Sequence, residues 1–552
     1  MVLQSENLTP STRSDMEPAF YVFDNTAGPG FVIVAGDDVA APILAYSFEH
    51  EFSADEMPPN LKSWMADMRD EINYAREHNL QAPEAVTRAW ASTRAGTPVV
   101  EYETALWDQG MPYNNLCPRV NRVTSYTGCT ATALSIIMNY HQWPERGTGV
   151  LPAYTTASYQ ADIESIELGH AYDWGNMLME YNTGEYNTQE AEAVATLMRD
   201  CAVGLQSDFG PLMSSGTGAY VNDIPAFLVN YMGYDKGCHV ATRADYNTAD
   251  WNQLIRNELD NGRLVLLGGQ AKDGGHAFVL QGYDTDNYFS VNWGWSGTSN
   301  GYYLLSALNP GEQGTGSFEG GYNSGQQALI GVQKDAGGDY VESLGMQNYP
   351  QYGATGLKII EGEPVQNEPF KMRIGFLYNN GNVPFTGDAL MAMTDKEGTI
   401  VEELFGITYA NEPLELNYGS IIEEEMTITS PILPGHRIRI FYRTAKKPEW
   451  TLIRANDEEG CVWDLVLADE YTIEETTKLT FSKEDRIIRL EVKDGVTASL
   501  QAADSTDHSD LCQQEGNSIS IDTSGLPGGR YVLTLTKLAE RKTVTFVLPE
   551  AE

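Results

Sequence analysis

Long apolar runs are missing from this sequence of 552 residues. No stretch of about 20 consecutive apolar residues occurs, so nothing reads as a membrane-spanning helix. Basic residues are scarce. The 35 Lys and Arg against 77 Asp and Glu leave a net charge of -42, which disfavours nucleic acid and anionic membrane as partners. Such a charge suits solubility outside a cell but names no substrate. Cysteine is sparse and scattered: Cys117, Cys129, Cys201, Cys238, Cys461 and Cys512 form no CxxC pair and no Cys/His metal spacing. A disulfide scaffold is not expected in a chain of this size. Short-period repeats are absent, which excludes solenoids. Residues 1–18 lack the apolar core of a signal peptide and are expected to be disordered. Either the protein stays inside the cell or its signal has been removed.

What is present is globular. Hydrophobic residues make up 42% and charged residues 20%, and the length calls for two to four domains. Residues 19–95 read as a small α+β unit. Phe20 to Phe23 and Phe31 to Ala35 are strands joined by a Gly/Pro turn, and Ile43 to Tyr46 is a third. Pro58-Pro59 opens an amphipathic helix with Leu61, Trp64, Met65, Met68 and Ile72 inward. From Gln81 to Val100 the pattern dissolves into a linker, in which Arg88 and Arg94 mark a processing site. Residues 96–335 mix helices with strands. A glycine-rich stretch near 310–325 reads as a surface loop, and another loop falls near 208–218. Residues 345–470 and 471–552 alternate as two β-sandwiches.

The organising stretch is Thr127-Gly128-Cys129-Thr130-Ala131-Thr132-Ala133, a tight turn that delivers a cysteine to the first turn of a helix. Leu134, Ile137, Met138 and His141 share one helical face, and the polar run from Thr124 to Thr127 can supply a cap. A helix N-terminus favours thiolate over thiol. His276 follows Gly274-Gly275 at the start of a strand, 147 residues after Cys129; Gln109 precedes Cys129 by 20 residues, and Asn292-Trp293-Gly294-Trp295 begins 16 after His276. Acyl transfer needs a thiolate, an imidazole that holds and returns a proton, an oxyanion donor, and a group that fixes the imidazole. His141 cannot be the base. Twelve residues along one helix places it roughly 18 Å from Cys129. His239 beside Cys238 lies on a strand, where neighbours point to opposite faces. Asp284-Thr285-Asp286-Asn287 lacks the rest of a calcium loop and reads as a turn.

With Trp107-Asp108-Gln109-Gly110-Met111-Pro112-Tyr113-Asn114, Met138 to Pro144, Gly274-Gly275-His276-Ala277-Phe278-Val279 and Val291-Asn292-Trp293-Gly294-Trp295, these motifs make residues 19–333 resemble the streptopain family of secreted cysteine peptidases in the papain-like clan. The resemblance implies a two-subdomain papain-like α+β peptidase (96–335). A small α+β inhibitory prodomain (19–95) precedes it, and all-β immunoglobulin-like domains follow. It implies Cys129 as nucleophile, His276 as general base and acid, and Gln109 as oxyanion donor with the Cys129 N–H. Asn292 or Trp293 then orients the histidine. No metal or organic cofactor is implied. The partners are protein and peptide substrates and the chain's own prodomain, and the expected state is a secreted or cell-surface monomer. Against the family's pattern, the sequence starts late, without a leader and the first part of the prosegment. Residues 526–547 resemble a type IX secretion sorting domain, a pattern that a plain immunoglobulin-like module shares. Two rivals stand beside this reading: a catalytically silent peptidase-like adhesin, and acyl transfer to an amine.

Overall fold

The computed structural model describes residues 2–4, 18–54, 57–78, 80–82, 84–90, 97–210, 216–271, 274–306 and 326–349. It also describes 352–548 with breaks at 417, 434, 458–459, 468–477, 483–485, 493–494, 503–505 and 538–539. The glycine-rich stretch near 310–325 and residues 211–215 of the second loop lie outside these.

One antiparallel sheet runs across the boundary between prosegment and peptidase. Its strands are β1 (Val2–Gln4), β2 (Phe20–Asp24), β3 (Phe31–Ala35), β4 (Ile43–Ser47), β5 (Pro98–Glu101), β6 (His239–Thr242), β7 (Val265–Ala271), β8 (Gly274–Asp284), β9 (Phe289–Asn292), β10 (Gly301–Tyr303) and β11 (Gln327–Ile330). The order across the sheet is β1-β2-β3-β4-β10-β9-β8-β7-β11-β6, and β5 pairs with β8. The first three prosegment strands joined in the sequence reading are there. Asn25 turns the β2–β3 hairpin by accepting the Ala27 N–H at 3.0 Å. Gly30 closes it at φ 123°, where a Cβ would meet the Ser47 carbonyl at 2.9 Å.

Helices cover both faces. On one face α3 (Cys129–His141), α4 (Thr188–Gly204) and α5 (Ile224–Tyr231) pack with Leu266, Ala277, Val279 and Leu329. On the other, α1 (Pro59–Glu77) and α6 (Thr248–Asp260) pack with Val265, Leu267, Phe278 and Leu280. The period-two alternation along β7 and β8 thus feeds two cores at once. In α1 the expected stripe of Leu61, Trp64, Met65, Met68 and Ile72 is buried. The α4 start is fixed by a capping box, with Asn187 and Glu190 each bonding the other's backbone N–H.

Four expectations are corrected. Residues 1–18 are not disordered throughout, because Val2–Gln4 pairs with β2; three residues are too few to show a periodic pattern. The stretch from 81 to 100 is not all linker: α2 (Glu84–Trp90) sits within it, tied down by the Trp90 indole N–H on the Ala40 carbonyl at 2.9 Å. Its far end is β5. The helix α3 has no single apolar face, since every residue from Thr130 to Asn139 is buried. It is an interior helix, buried all round, with Thr130, Thr132, Ser135 and Asn139 among its buried residues. It also has no side-chain cap. Gly128 occupies the cap position at φ 88°, and the Thr127 hydroxyl bonds the Thr132 hydroxyl at 2.8 Å instead.

Beyond residue 335 the described elements are nearly all strands. A four-stranded and a five-stranded sheet between Leu344 and Val466 share a core that includes Met372, Ile374, Met391 and Ile440. A four-stranded and a three-stranded sheet between Lys478 and Leu548 share a second, built on Leu490, Leu500, Ile519 and Leu533.

Candidate active site

Glycine is required at position 128. A Cβ there would lie 2.7 Å from the Thr217 carbonyl, so the turn before α3 can lie flush against the 216–219 segment only without a side chain. The Thr130 hydroxyl bonds the Ala219 carbonyl at 3.1 Å and fixes that contact. Leaving α3 uncapped has a chemical consequence. The backbone N–H groups of Cys129 and Thr130 face the Cys129 sulfur, together with the Ala277 backbone N–H from β8. Each favours the thiolate. Burial outweighs them and pushes the thiol up, although Cys129 keeps a partial exposure. The helix start therefore acts in the expected direction, and burial outweighs it.

Ala277 directly follows His276 in β8, so the histidine's strand lies against the thiol. The register continues through Gly268↔Ala277 and Gly269↔His276; the His276 side chain lies outside the described part of the structure. Gln109 is brought to the same turn from another direction. Its carbonyl accepts the Thr127 N–H at 3.2 Å. Its own N–H donates to Asp108 Oδ1 at 2.6 Å, and Asp108 Oδ2 accepts the Ser296 hydroxyl at 2.9 Å.

Asn292 is fully buried, and its amide hydrogens go to Thr104 Oγ1 at 2.8 Å and the Ala105 carbonyl at 3.0 Å. Its Oδ1 accepts the Gly294 N–H at 3.0 Å. Trp293 points to the opposite face, its ring 4.8 Å from Phe278 and 4.9 Å from Tyr303, with its indole N–H on the Ser299 carbonyl at 3.1 Å. Gly294, at φ 67°, packs against Thr132 of α3.

The residues set aside stay away from this site. The His141 ring bonds the Tyr234 hydroxyl at 3.2 Å, and burial, then Lys334, pushes its pKa down to about 4. His239 bonds the Gly237 carbonyl at 2.8 Å. Asp284 Oδ1 accepts the N–H groups of Asp286 and Tyr288 at 2.8 and 2.9 Å, as a turn aspartate does.

The prosegment reaches the same place. Asn60, in the first turn of α1, donates to the Trp293 carbonyl at 2.7 Å and the Ala277 carbonyl at 3.3 Å. Trp64 stands edge-on to Tyr303 at 4.9 Å and donates to the Leu304 carbonyl at 2.8 Å. Tyr46 and Tyr302, paired across β4 and β10, stack at 5.2 Å, and the Tyr46 hydroxyl bonds Asp284 at 2.7 Å. Sequence reasoning missed Asn60. The only local sign was its place after Pro58-Pro59, which marks a helix start and not a partner.

A cysteine at an uncapped helix start, backed by a histidine's strand on which its own N-terminal segment docks, defines a latent thiol peptidase. Residues 107–303 match the Peptidase C10 family, and residues 3–72 match the Spi protease inhibitor family. Streptopain of Streptococcus pyogenes is 34% identical over 338 residues, which cover 57% of this chain and 80% of that protein. The thiol protease/hemagglutinin PrtT of Porphyromonas gingivalis is 33% identical over 328 residues, 57% of this chain but only 37% of that protein. A solved fragment of Prevotella intermedia prointerpain A is 32% identical, with a TM-score of 0.49 over 58% of this chain and 98% of that one. The chain belongs to the peptidase C10 family, the streptopain family of cysteine peptidases, and it carries the family's inhibitor prosegment. No helix among the described residues is long and apolar enough to cross a membrane.

Proposed function

We propose that this zymogen is a secreted or cell-surface endopeptidase that attacks protein substrates through Cys129 and His276. The observation that carries the reading is the Ala277 N–H on the Cys129 sulfur, which sets the strand of His276 against the thiol while Gln109 is tied to the turn two residues before it. In the reaction His276 takes the thiol proton and Cys129 Sγ adds to the peptide carbonyl. The Cys129 N–H and the Gln109 amide hold the oxyanion. His276 returns the proton to the leaving amine as the C–N bond breaks, leaving a thioester. Water, deprotonated by His276, then releases the acid and regenerates the thiol.

Asn292 has both amide hydrogens committed to the Thr104–Ala105 segment, so its role is to position the chain that leads to Gln109. Trp293, packed on Phe278 of the histidine's strand, is the better candidate for steadying His276. The proposed units are a prosegment ending near residue 95, a papain-like two-subdomain peptidase over 96–335, an immunoglobulin-like sandwich over 345–470, and a smaller one over 471–552 that serves secretion sorting. The mature chain is read as a monomer without a cofactor.

Intact mass followed over time, with casein present under reducing conditions, tests this. The wild type should lose roughly its first 80–100 residues and degrade casein. Cys129→Ala should do neither, with activity down at least about 10³-fold. A Cys129→Ala chain that still processes itself and cleaves casein would overturn the assignment. Casein left whole by a trypsin-nicked wild type would favour the silent adhesin, and amide products with an added amine would favour acyl transfer.

A further inference from the structure

The far edge of the central sheet is β6. Strand β6 pairs only with β11 among the described residues. The Arg243 N–H donates to the Gln326 carbonyl at 2.9 Å, one step beyond the pair Thr242↔Gln327. In an antiparallel ladder, alternate residues turn their N–H and C=O groups to the partner. Arg243, Ala241 and His239 therefore face β11, and Cys238, Val240 and Thr242 face outward. At Cys238 the outward carbonyl is already met by the Asn382 amide at 2.9 Å, reaching across from the first C-terminal β unit. The next two rungs, at Val240 and Thr242, open into a cavity of about 250 Å³. Among the described residues nothing bonds their outward backbone groups.

The cavity lies between two walls. One wall is the side of α5 at Ala226, Val229 and Asn230, and the other is the β unit at Tyr340, Asn380 and Leu416. In a chain of net charge -42, this lining carries carboxamides, hydroxyls and apolar groups and no charged side chain. Such a lining can bond a backbone without selecting side-chain charge. The groove wall also lies close to the nucleophile along the chain. The Ala219 carbonyl is held by Thr130, next to Cys129, and Asn222 on the groove wall is three residues further, at most about 11 Å between Cα atoms.

We propose that this groove is an exosite for extended polypeptide. An unfolded segment of the protein substrate adds to β6 as a strand along Val240–Thr242, while another part of the same chain crosses Cys129. This rests on the endopeptidase reading above. It gives the β unit a part in substrate choice: long, extended chains gain over short peptides, which reach only the thiol. The prosegment occupies the opposite end of the sheet, so the groove stays open in the latent chain.

Two variants probe it. Ala226→Trp fills the groove. Val240→Pro removes an outward N–H that the ladder does not use, which an edge strand tolerates. In the first arm, full-length latent chain carrying Cys129→Ala is titrated into fluorescein-labelled, reduced and carboxymethylated casein by fluorescence anisotropy. Adding either groove variant should weaken binding about 10-fold, and a blocked dipeptide amide should not compete. In the second arm, processed enzyme should lose about 10-fold in kcat/KM on that casein and stay within about 2-fold on the blocked dipeptide amide. Unchanged casein binding by the two variants, or an equal loss on both substrates, would overturn the exosite. If Val240→Pro melts early, Ala226→Trp decides alone. If the parent cleaves neither substrate even after trypsin, the endopeptidase reading fails while the anisotropy arm still judges the groove.

Discussion

The peptidase sheet is joined to a neighbour at each end, and the two joints are built differently. At β10 the prosegment continues the sheet by backbone pairing, with Tyr46 stacked on Tyr302 and Trp64 edge-on to Tyr303. At β6 the first C-terminal β unit adds no strand among the described residues. It attaches by side chains: the Tyr378 hydroxyl donates to the carboxylate of buried Asp245, 2.5 Å from each oxygen, and the Asn382 amide donates to the Lys236 and Cys238 carbonyls. The paired, aromatic joint is the one that has to come apart. Tight docking is compatible with release because cutting the linker makes rebinding bimolecular, and the high effective concentration of the tether is lost. The polar joint stays, and it leaves the strand edge beside it free.

If the aromatic joint is what holds the enzyme latent, Trp64→Ala should have the largest effect. Truncating a buried tryptophan costs about 3–5 kcal/mol, and here it also leaves the Leu304 carbonyl without its donor. Self-processing followed by intact mass should begin far earlier than in the parent. Processing at the parental rate would show that latency resides elsewhere.

How much of this could be read from the sequence depends on how local each signal is. Cys129, Gln109 and the histidine strand sit in motifs whose turn glycines and helix start are written within a few residues, and the structure places the first two at one turn. The apolar stripe of α1 was equally legible, because its spacing is its signature. What escaped was non-local. The pairing of Tyr46 with Tyr302 joins residues more than 250 apart, and nothing in either segment encodes the other. Asn60 looks like any polar residue at a helix start until its two acceptors are seen. The thiol was misjudged for a similar reason. A dipole can be inferred from position in a helix, whereas burial by distant parts of the peptidase core cannot.

The polar joint should show itself through pH. Burial raises Asp245 to about 6, against hydrogen bonds from Tyr378, Gln347 and Asn380 that lower it. Its ordinary value is 3.8, so between about 4 and 6 the folded state holds more protons than the unfolded one, and stability falls as pH rises through that window. The loss is at most about 3 kcal/mol. Melting curves of the Cys129→Ala chain at pH 4.5 and 6.5 should show the decline, and adding Asp245→Asn should flatten it. An unchanged slope in the variant would mean that Asp245 does not govern the joint.

Asn60→Ala sharpens the contrast most finely, because its cost falls on one state only. In the docked chain the Asn60 amide satisfies the buried Trp293 and Ala277 carbonyls, and its Oδ1 accepts the Leu61 N–H at 3.1 Å. Without the amide both carbonyls lose a donor where water is excluded, about 1–3 kcal/mol. Once the prosegment has left, water reaches them and the penalty disappears. The variant should therefore open the site without weakening the peptidase. Alkylation of Cys129 by iodoacetamide in the unprocessed chain should rise by roughly 5- to 100-fold, since 1.4 kcal/mol is a factor of ten. In processed enzyme, which no longer contains residue 60, the rate should be the same from either parent. Asn60→Asp separates hydrogen bonding from simple filling of space. A carboxylate of nearly the same shape presents lone pairs to two carbonyls, so it should open the site at least as far as alanine does. An aspartate variant as latent as the wild type would mean that Asn60 acts by shape, and that the aromatic joint alone keeps the thiol covered.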